Sequence, residues 1–243
     1  MRKLHIIMPM AGEGSRFRKE GWSTPKPLIE LHGKPLFVRA IESVKVDGAP
    51  MKYSFIVRQE HIEEQQIDQS IKELLPDANV FSVERTTRGA VETCLVAEKD
   101  IADDDAVVVM DCDLEFSSEG YRKIITDSLQ TDASEARGGA LVSFRSDEPR
   151  YSYAETDSFG NVVRTAEKEV ISNHALCGAY FFASGREFKD AARRLLNEPV
   201  MLKPEFYVSL LYNYLLSNGS PVKLAEMEKY RSYGTPEELK KWL

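Results

Sequence analysis

The chain has 243 residues, 42% hydrophobic and 29% charged, the balance of an ordinary globular protein, and its longest apolar runs, such as Ala106 to Met110, are far too short to span a bilayer. A net charge of −7 opposes general nucleic-acid binding, which needs a basic surface, and obliges any polyphosphate site to gather positive charge locally. Three scattered cysteines and four scattered histidines, with no C-x-x-C pair and no ligand spacing, suggest neither a disulfide framework nor a zinc or histidine metal site.

Leu4 to Met8 is expected to be a short buried strand ending in Pro9. No small-residue cleavage site follows it, so a signal peptide is not expected and a cytoplasmic location is. Residues 35–45 carry Pro35 in the first turn and apolar Phe37, Val38, Ile41 and Val44 at helical spacing. Strands are predicted at 53–57, 79–83 and 106–110, with helices at 61–75 and 89–99 between them. This alternation, through about residue 145, calls for a mostly parallel mixed sheet with helices on both faces, a three-layer α/β/α fold. Beyond it, 151–156 and 162–166 form a predicted hairpin around Asp157–Asn161. A strand at 175–183, helices at 186–196 and 205–217, a strand at 221–226 and a helix from Pro236 complete the expectation. Cys94 and Cys177 lie in apolar strings and belong in the core. The chain is expected to be a single domain over 1–243, with a nucleotide half (1–145) and an acceptor half (146–243).

The first motif follows the first strand: Met10, Ala11, Gly12, Glu13, Gly14, Ser15, Arg16, Phe17. Glycines here bring backbone N–H groups close to phosphate oxygens, and Arg16 is placed to neutralise β- and γ-phosphates. Phe17 stands where a dinucleotide fingerprint needs glycine, and no Gly-Lys-Ser/Thr of a P-loop is present. Ten residues on, Pro25-Lys26-Pro27-Leu28 fixes one lysine between two prolines, suited to an α-phosphate oxygen where charge develops. Alone, this segment also reads as a surface loop. Asp111 and Asp113 cap the most hydrophobic strand, and two carboxylates one residue apart suit one Mg²⁺ held against phosphate oxygens. Acidic residues also end strands simply to solvate a turn.

Taken together, Gly12-Glu13-Gly14-Ser15-Arg16-Phe17, Pro25-Lys26-Pro27-Leu28 and Gly33-Lys34-Pro35 resemble the sugar-phosphate nucleotidyltransferase family. The resemblance implies a GT-A-like, Rossmann-like fold, Arg16 and Lys26 as catalytic cations, an acid at Asp111 or Asp113 for the metal, and Met10 to Ser15 around the nucleotide. It further implies that Gly89 and Ala90, with Thr87, lie against the nucleobase and that Arg85 or Arg88 reaches a phosphate. Glu167 and Lys168 after the hairpin, with Asn173 and Gly178, would bind the acceptor. The ending Tyr233-Gly234-Thr235-Pro236-Glu237-Glu238-Leu239 also matches, but Ser232 stands where the family carries a metal-binding aspartate.

The expected partners are therefore an NTP, with Mg²⁺ as cofactor, and a phosphorylated small molecule, with no nucleic acid and no membrane; a homo-oligomer stays open. A sugar 1-phosphate ranks first as acceptor. The loop also resembles that of cytidylyltransferases acting on phosphocholine-like alcohols, which ranks a phosphorylated amino-alcohol with CTP second. A GT-A glycosyltransferase, which also carries Asp-x-Asp, and a non-catalytic nucleotide-binding regulator are the remaining alternatives.

Overall fold

The computed structural model describes residues 1–198 and 205–243. The chain enters through β1 (Leu4–Met10), turns into the short helix α1 (Ser15–Lys19), and makes a ribbon of β2 (Glu30–Leu31) and β3 (Lys34–Pro35). Then come α2 (Leu36–Val44), β4 (Met51–Arg58), α3 (Gln59–Gln65), α4 (Ile67–Leu74), β5 (Asn79–Val83), α5 (Ala90–Leu95) and β6 (Ala106–Met110). β7 (Leu114–Ser117), α6 (Glu119–Gln130) and β8 (Gly139–Arg145) lead to the hairpin of β9 (Ser152–Thr156) and β10 (Val162–Glu167). β11 (His174–Phe182), α7 (Gly185–Leu196), α8 (Leu211–Ser217), β12 (Val222–Glu226), β13 (Lys229–Ser232) and α9 (Pro236–Lys240) follow.

Among the described residues, nine strands form the central sheet, in the order β10-β9-β11-β6-β1-β4-β5, with β8 also paired to β11 and β12 to β8. β6, β1, β4 and β5 are mutually parallel, and β8, β9 and β12 point the same way. Only β10 and β11 run against them in this sheet. Successive side chains on β1 and β6 enter opposite cores: Met8, Val108 and Met110 pack beneath α2 and α6, while Ile7, Val107 and Val109 pack beneath α5, α7 and α8. Covered on both faces, these strands read as continuous apolar runs rather than as alternation. The three-layer α/β/α fold expected from the sequence is thus present. Cys94 and Cys177 lie in the two cores. Among the described residues, no helix is long and apolar enough to cross a membrane.

Several elements differ from expectation for local reasons. The single helix predicted over 61–75 is two, because Gln66 takes a left-handed φ of 52°. On a straight helix Ile62 and Ile67 would stand about 140° apart; the break re-phases the chain so that both reach the core. The helix predicted at 89–99 stops at Leu95, and a 3-10 turn at Glu98–Asp100 follows it. That turn delivers Asp100 to Lys52 and Ser54, each at 2.6 Å. The helix predicted from 205 begins at Leu211, after a 3-10 turn, because the Phe206 backbone is already bonded to Arg88 and Val91. α6 was not predicted; Ser118 caps it by accepting from the Tyr121 N–H at 3.1 Å.

His5 sits at the amino end of β1, fully buried, with Nε2 2.7 Å from Ser54 Oγ. Burial first, and then the Lys52 ammonium, push its imidazole down to about 4. The unfolded chain therefore binds more protons than the native one between an ordinary histidine value and about 4. This contribution to stability is complete above the ordinary value and is lost as pH falls toward 4. Between pH 7 and pH 5 the wild type should lose about 2 kcal/mol more unfolding free energy than His5→Gln. Urea denaturation at the two pH values measures this, and parallel losses in both proteins would contradict it.

Candidate active site

β6 delivers Asp111 and Asp113 to the carboxyl edge of the sheet, and the second half of the chain holds both by their backbones. The Asp111 N–H donates to the Gly178 carbonyl at 2.9 Å, and the Asp113 carbonyl accepts from the Tyr233 N–H at 2.7 Å. At Gly178 the register of β11 against β8 slips, and the backbone adopts φ +82°. A Cβ there would stand 2.2 Å from Asp111 Oδ2, so glycine is required by the aspartate itself. Tyr233 is buried with Phe17, Ile29, Leu31, Leu36 and Leu239 in a third, small core, and its hydroxyl donates to Glu115 at 3.0 Å. Burial first, and the Asp113 charge second, push the Asp111 carboxyl up to about 7.

Lys26 opens a 3-10 turn between the buried prolines Pro25 and Pro27. Its ammonium lies 2.6 Å from Asp113 Oδ2. Burial works against the charged form, but Asp113, and Asp111 behind it, hold the ammonium well above the ordinary lysine range. The pair stands between two cavities. One, of about 390 Å³, is walled by Met10, Gly12, Glu13, Gly14, Trp22 and Lys26. The other, of about 260 Å³, is walled by Ala90, Asp111, Asp113, Glu167, Gly178 and several tyrosines.

The remaining glycine-loop residues are placed unevenly. Gly14 turns the chain into α1 with φ +61°. Ser15 and Arg16 are exposed at the start of that helix. Arg16 lines neither cavity, and its charge is felt by Glu237 on α9. Arg85 is exposed. The Thr87 hydroxyl contacts Thr93 Oγ1 at 2.6 Å and the Gly89 carbonyl at 3.2 Å, fastening the start of α5. Gly89 is accounted for by protein rather than ligand, since a Cβ would meet the Phe206 backbone nitrogen at 2.5 Å. Arg88 is paired with Glu92 at 2.8 Å and stacks over Phe206.

Beside the second cavity, Glu167 is buried and accepts hydrogen bonds from Ser209 Oγ at 2.8 Å and from Ser152 Oγ. Lys168 adopts a left-handed φ of 53°, an unfavourable conformation for a non-glycine residue. Its ammonium donates to the Tyr207 hydroxyl at 2.6 Å, which raises its pKa. Asn173 is exposed, outside both cavities, and bound to Arg145 at 2.6 Å. Ser232 lines the second cavity and donates to Glu238 at 2.8 Å; Glu238 in turn pairs with Arg150 at 2.8 Å. Sequence patterns did not point to Arg150, Tyr151, Tyr207 or Tyr230, all of which line this cavity. Each lies in a stretch with no motif, and only folding brings them together. Among the described residues, no group of three or more His, Cys, Asp or Glu side chains is arranged to hold a metal ion.

The nucleotidyl transferase family model matches residues 4–212. The chain belongs to the nucleotidyl transferase family. It is 22% identical over 233 residues to the bifunctional protein GlmU of Buchnera aphidicola, covering 93% of this chain and 46% of that protein, so the chain spans about half the length of this curated relative. A solved nucleoside-diphosphate-sugar pyrophosphorylase from Vibrio cholerae RC9 superposes with a TM-score of 0.83 at 25% identity, over 98% of this chain and 99% of that one. The inositol-1-phosphate CTP transferase from T. maritima shares the fold, with a TM-score of 0.71 at 14% identity over 98% of this chain and 91% of that one. The family model spans Gly12–Phe17, Pro25–Leu28 and Gly33–Pro35, the segments on which the resemblance rested, and ends before the Tyr233–Leu239 match.

The Gly178 contact gives a controlled test. Gly160 has nearly the same φ, +81°, but open space where a Cβ would go. Gly160→Ala should carry only the backbone strain, about 1 kcal/mol. Gly178→Ala should lose clearly more stability, and should lose activity as Asp111 is displaced. Equal losses in chemical denaturation would show that the Asp111 contact is unimportant.

Proposed function

We propose that the protein transfers the nucleoside monophosphate of an NTP to a phosphorylated small molecule, a sugar 1-phosphate first, and releases pyrophosphate. The observation that carries this is the Lys26–Asp113 pair at the boundary of two cavities, a glycine-loop cavity on one side and an acceptor-sized cavity on the other. A transfer between two phosphate groups needs its cation at such a junction.

An acceptor phosphate oxygen attacks the α-phosphorus in line; the bond from that phosphorus to the α–β bridging oxygen breaks, and pyrophosphate leaves with the electron pair. A phosphate monoester is already nucleophilic, so the residues supply position and charge rather than a strong base. Lys26 leaves Asp113 for the α-phosphate, where negative charge develops. Arg16, exposed on its short helix, swings to the β- and γ-phosphates when the nucleotide is bound. Met10 to Ser15, with Arg85, Thr87 and Gly89, surround the nucleotide, and Ala90, which lines the second cavity, stands where the two substrates meet. Glu167 and Lys168 hold the acceptor, the carboxylate on a hydroxyl or amine and the ammonium on the phosphate; Gly178 lines that pocket, and Asn173 closes its outer side.

The aspartates fit a divalent cation: Asp111 is half-buried and next to a second carboxylate whose charge raises its pKa, an arrangement that an added positive charge relieves. Asp111 and Asp113 would hold Mg²⁺, which supplies charge neutralisation for the phosphates. With Ser232 in the place of a third acid, the two carboxylates alone would make a weak site for the free ion. Asp111 and Asp113 therefore bind the Mg–NTP complex far better than the bare ion.

One observation favours a second acceptor class. Tyr151, Tyr180, Tyr207 and Tyr230 line the acceptor cavity beside the Glu167 carboxylate, surroundings that also suit the ammonium of a phosphorylated amino-alcohol, with CTP as donor. Four NTPs screened with Mg²⁺ against sugar 1-phosphates and phosphorylated amino-alcohols, with pyrophosphate as readout, decide between them. Pyrophosphate release that depends on both substrates is expected. Hydrolysis or transfer from an NDP-sugar without pyrophosphate would point instead to a GT-A glycosyltransferase, and NTP binding without turnover to a regulator. In the active combination, Lys26→Ala should lower turnover by about a hundredfold or more while the protein stays folded. Near wild-type turnover would remove Lys26 from the mechanism.

A further inference from the structure

We infer that Arg58 binds the nucleoside triphosphate, a role that no sequence motif assigns to it. The inference rests on the assignment of the glycine-loop crevice to an NTP. β4 lies between β1 and β5 in the sheet, and Arg58 is its last residue. Its side chain lies between the loops that follow β1 and β5, the two segments that the proposed function places around the nucleotide, just outside the lining of the glycine-loop cavity. The guanidinium touches both segments: Nη1 lies 3.5 Å from the Ala11 carbonyl and 3.2 Å from Thr86 Oγ1. Thr86 in turn donates to Glu13 Oε1 at 3.1 Å, so one chain of contacts runs from Arg58 to the acid in the glycine loop.

The bonds that hold Arg58 are weak. Nη1 makes long contacts, and the buried Nε–H has no hydrogen-bond partner, with Glu60 Oε2 standing 3.5 Å away. A buried donor left unpaired carries a desolvation cost that a better acceptor recovers. The side chain is 13% exposed, anchored on a strand end yet under-bonded, and free to turn toward phosphate oxygens.

The other cations near the crevice are engaged or distant. Lys26 is held by Asp113, Arg88 by Glu92 and Arg18, which lines the cavity, by Glu60 at 3.0 Å, while Arg16 and Arg85 are exposed. A triphosphate entering a chain of net charge −7, past Glu13, needs a fixed positive charge between the two segments, and Arg58 supplies it. Through Thr86 it also holds Glu13 in place.

Calorimetric titration of each Mg–NTP into wild type, Arg58→Gln and Arg58→Lys, with no acceptor present, tests this independently of turnover. Gln keeps hydrogen bonding to Thr86 but loses the charge. The NTP that binds the wild type should bind Arg58→Gln about tenfold or more weakly, the scale of one charge-assisted contact, with Arg58→Lys between the two. The KM for the acceptor should not move. Should Arg58→Gln fail to fold, Glu13→Gln provides the complementary arm, since removal of the opposing charge should tighten NTP binding. A folded Arg58→Gln with wild-type affinity, or a Glu13→Gln that binds no tighter, overturns this inference alone. Absence of binding by any NTP to the wild type overturns the nucleotide assignment together with it.

Discussion

The site is organised around one ion pair. Lys26 and Asp113 meet at 2.6 Å, with side chains 25% and 20% exposed. Removing one partner of a fully buried pair costs about 3–5 kcal/mol, and somewhat less at this exposure. Neither group can therefore leave the other unless a new partner takes its place. An α-phosphate offers Lys26 an anion, and a divalent cation offers Asp113 a positive charge. Under the proposed function the pair would be exchanged as a unit, and Lys26 would become available only when the metal–nucleotide complex is present. This would keep a lysine of raised proton affinity from standing bare between two cavities lined with carboxylates.

The fold supports that pair from both sides. Pro25 and Pro27 fix the Lys26 backbone, and Tyr233, seated in the small core with Phe17 and Leu239, fixes the Asp113 carbonyl. Phe17 belongs to the glycine-loop motif and Leu239 to the last helix, so residues at opposite ends of the chain meet beneath the site. Gly178 does the same for Asp111 from β11, where the sheet changes direction. The second part of the chain, from residue 146, thus does more than line a cavity: it sets the position of the carboxylates that the first part supplies.

The sequence made some of this legible and hid the rest for physical reasons. β1 and β6 were evident because strands covered on both faces read as unbroken apolar runs, and the hairpin because Asp157 and Gly160 punctuate it. The break at Gln66 was hidden because no glycine or proline marks it; the need to re-phase Ile62 and Ile67 against the core appears only in three dimensions. Of the site, Lys26, Asp111 and Asp113 carry local signatures, and folding places them together. Arg16 and Asn173 were selected by the same kind of motif but line neither cavity. Gly89 was marked as a glycine that makes room, and it does, for the Phe206 backbone. Arg58, Arg150 and Tyr207 lie in ordinary-looking segments, and their placement comes from sheet order and long-range packing rather than from spacing.

Exchange of partners at Lys26 is most directly tested by crystal structures of the protein alone and with Mg²⁺ and a non-hydrolysable analogue of its preferred NTP. The free protein should show the Lys26 ammonium on Asp113. In the complex it should lie on a non-bridging α-phosphate oxygen, with Asp113 turned to the metal. A complex in which Lys26 stays on Asp113, with the α-phosphate held by other groups, would contradict this account.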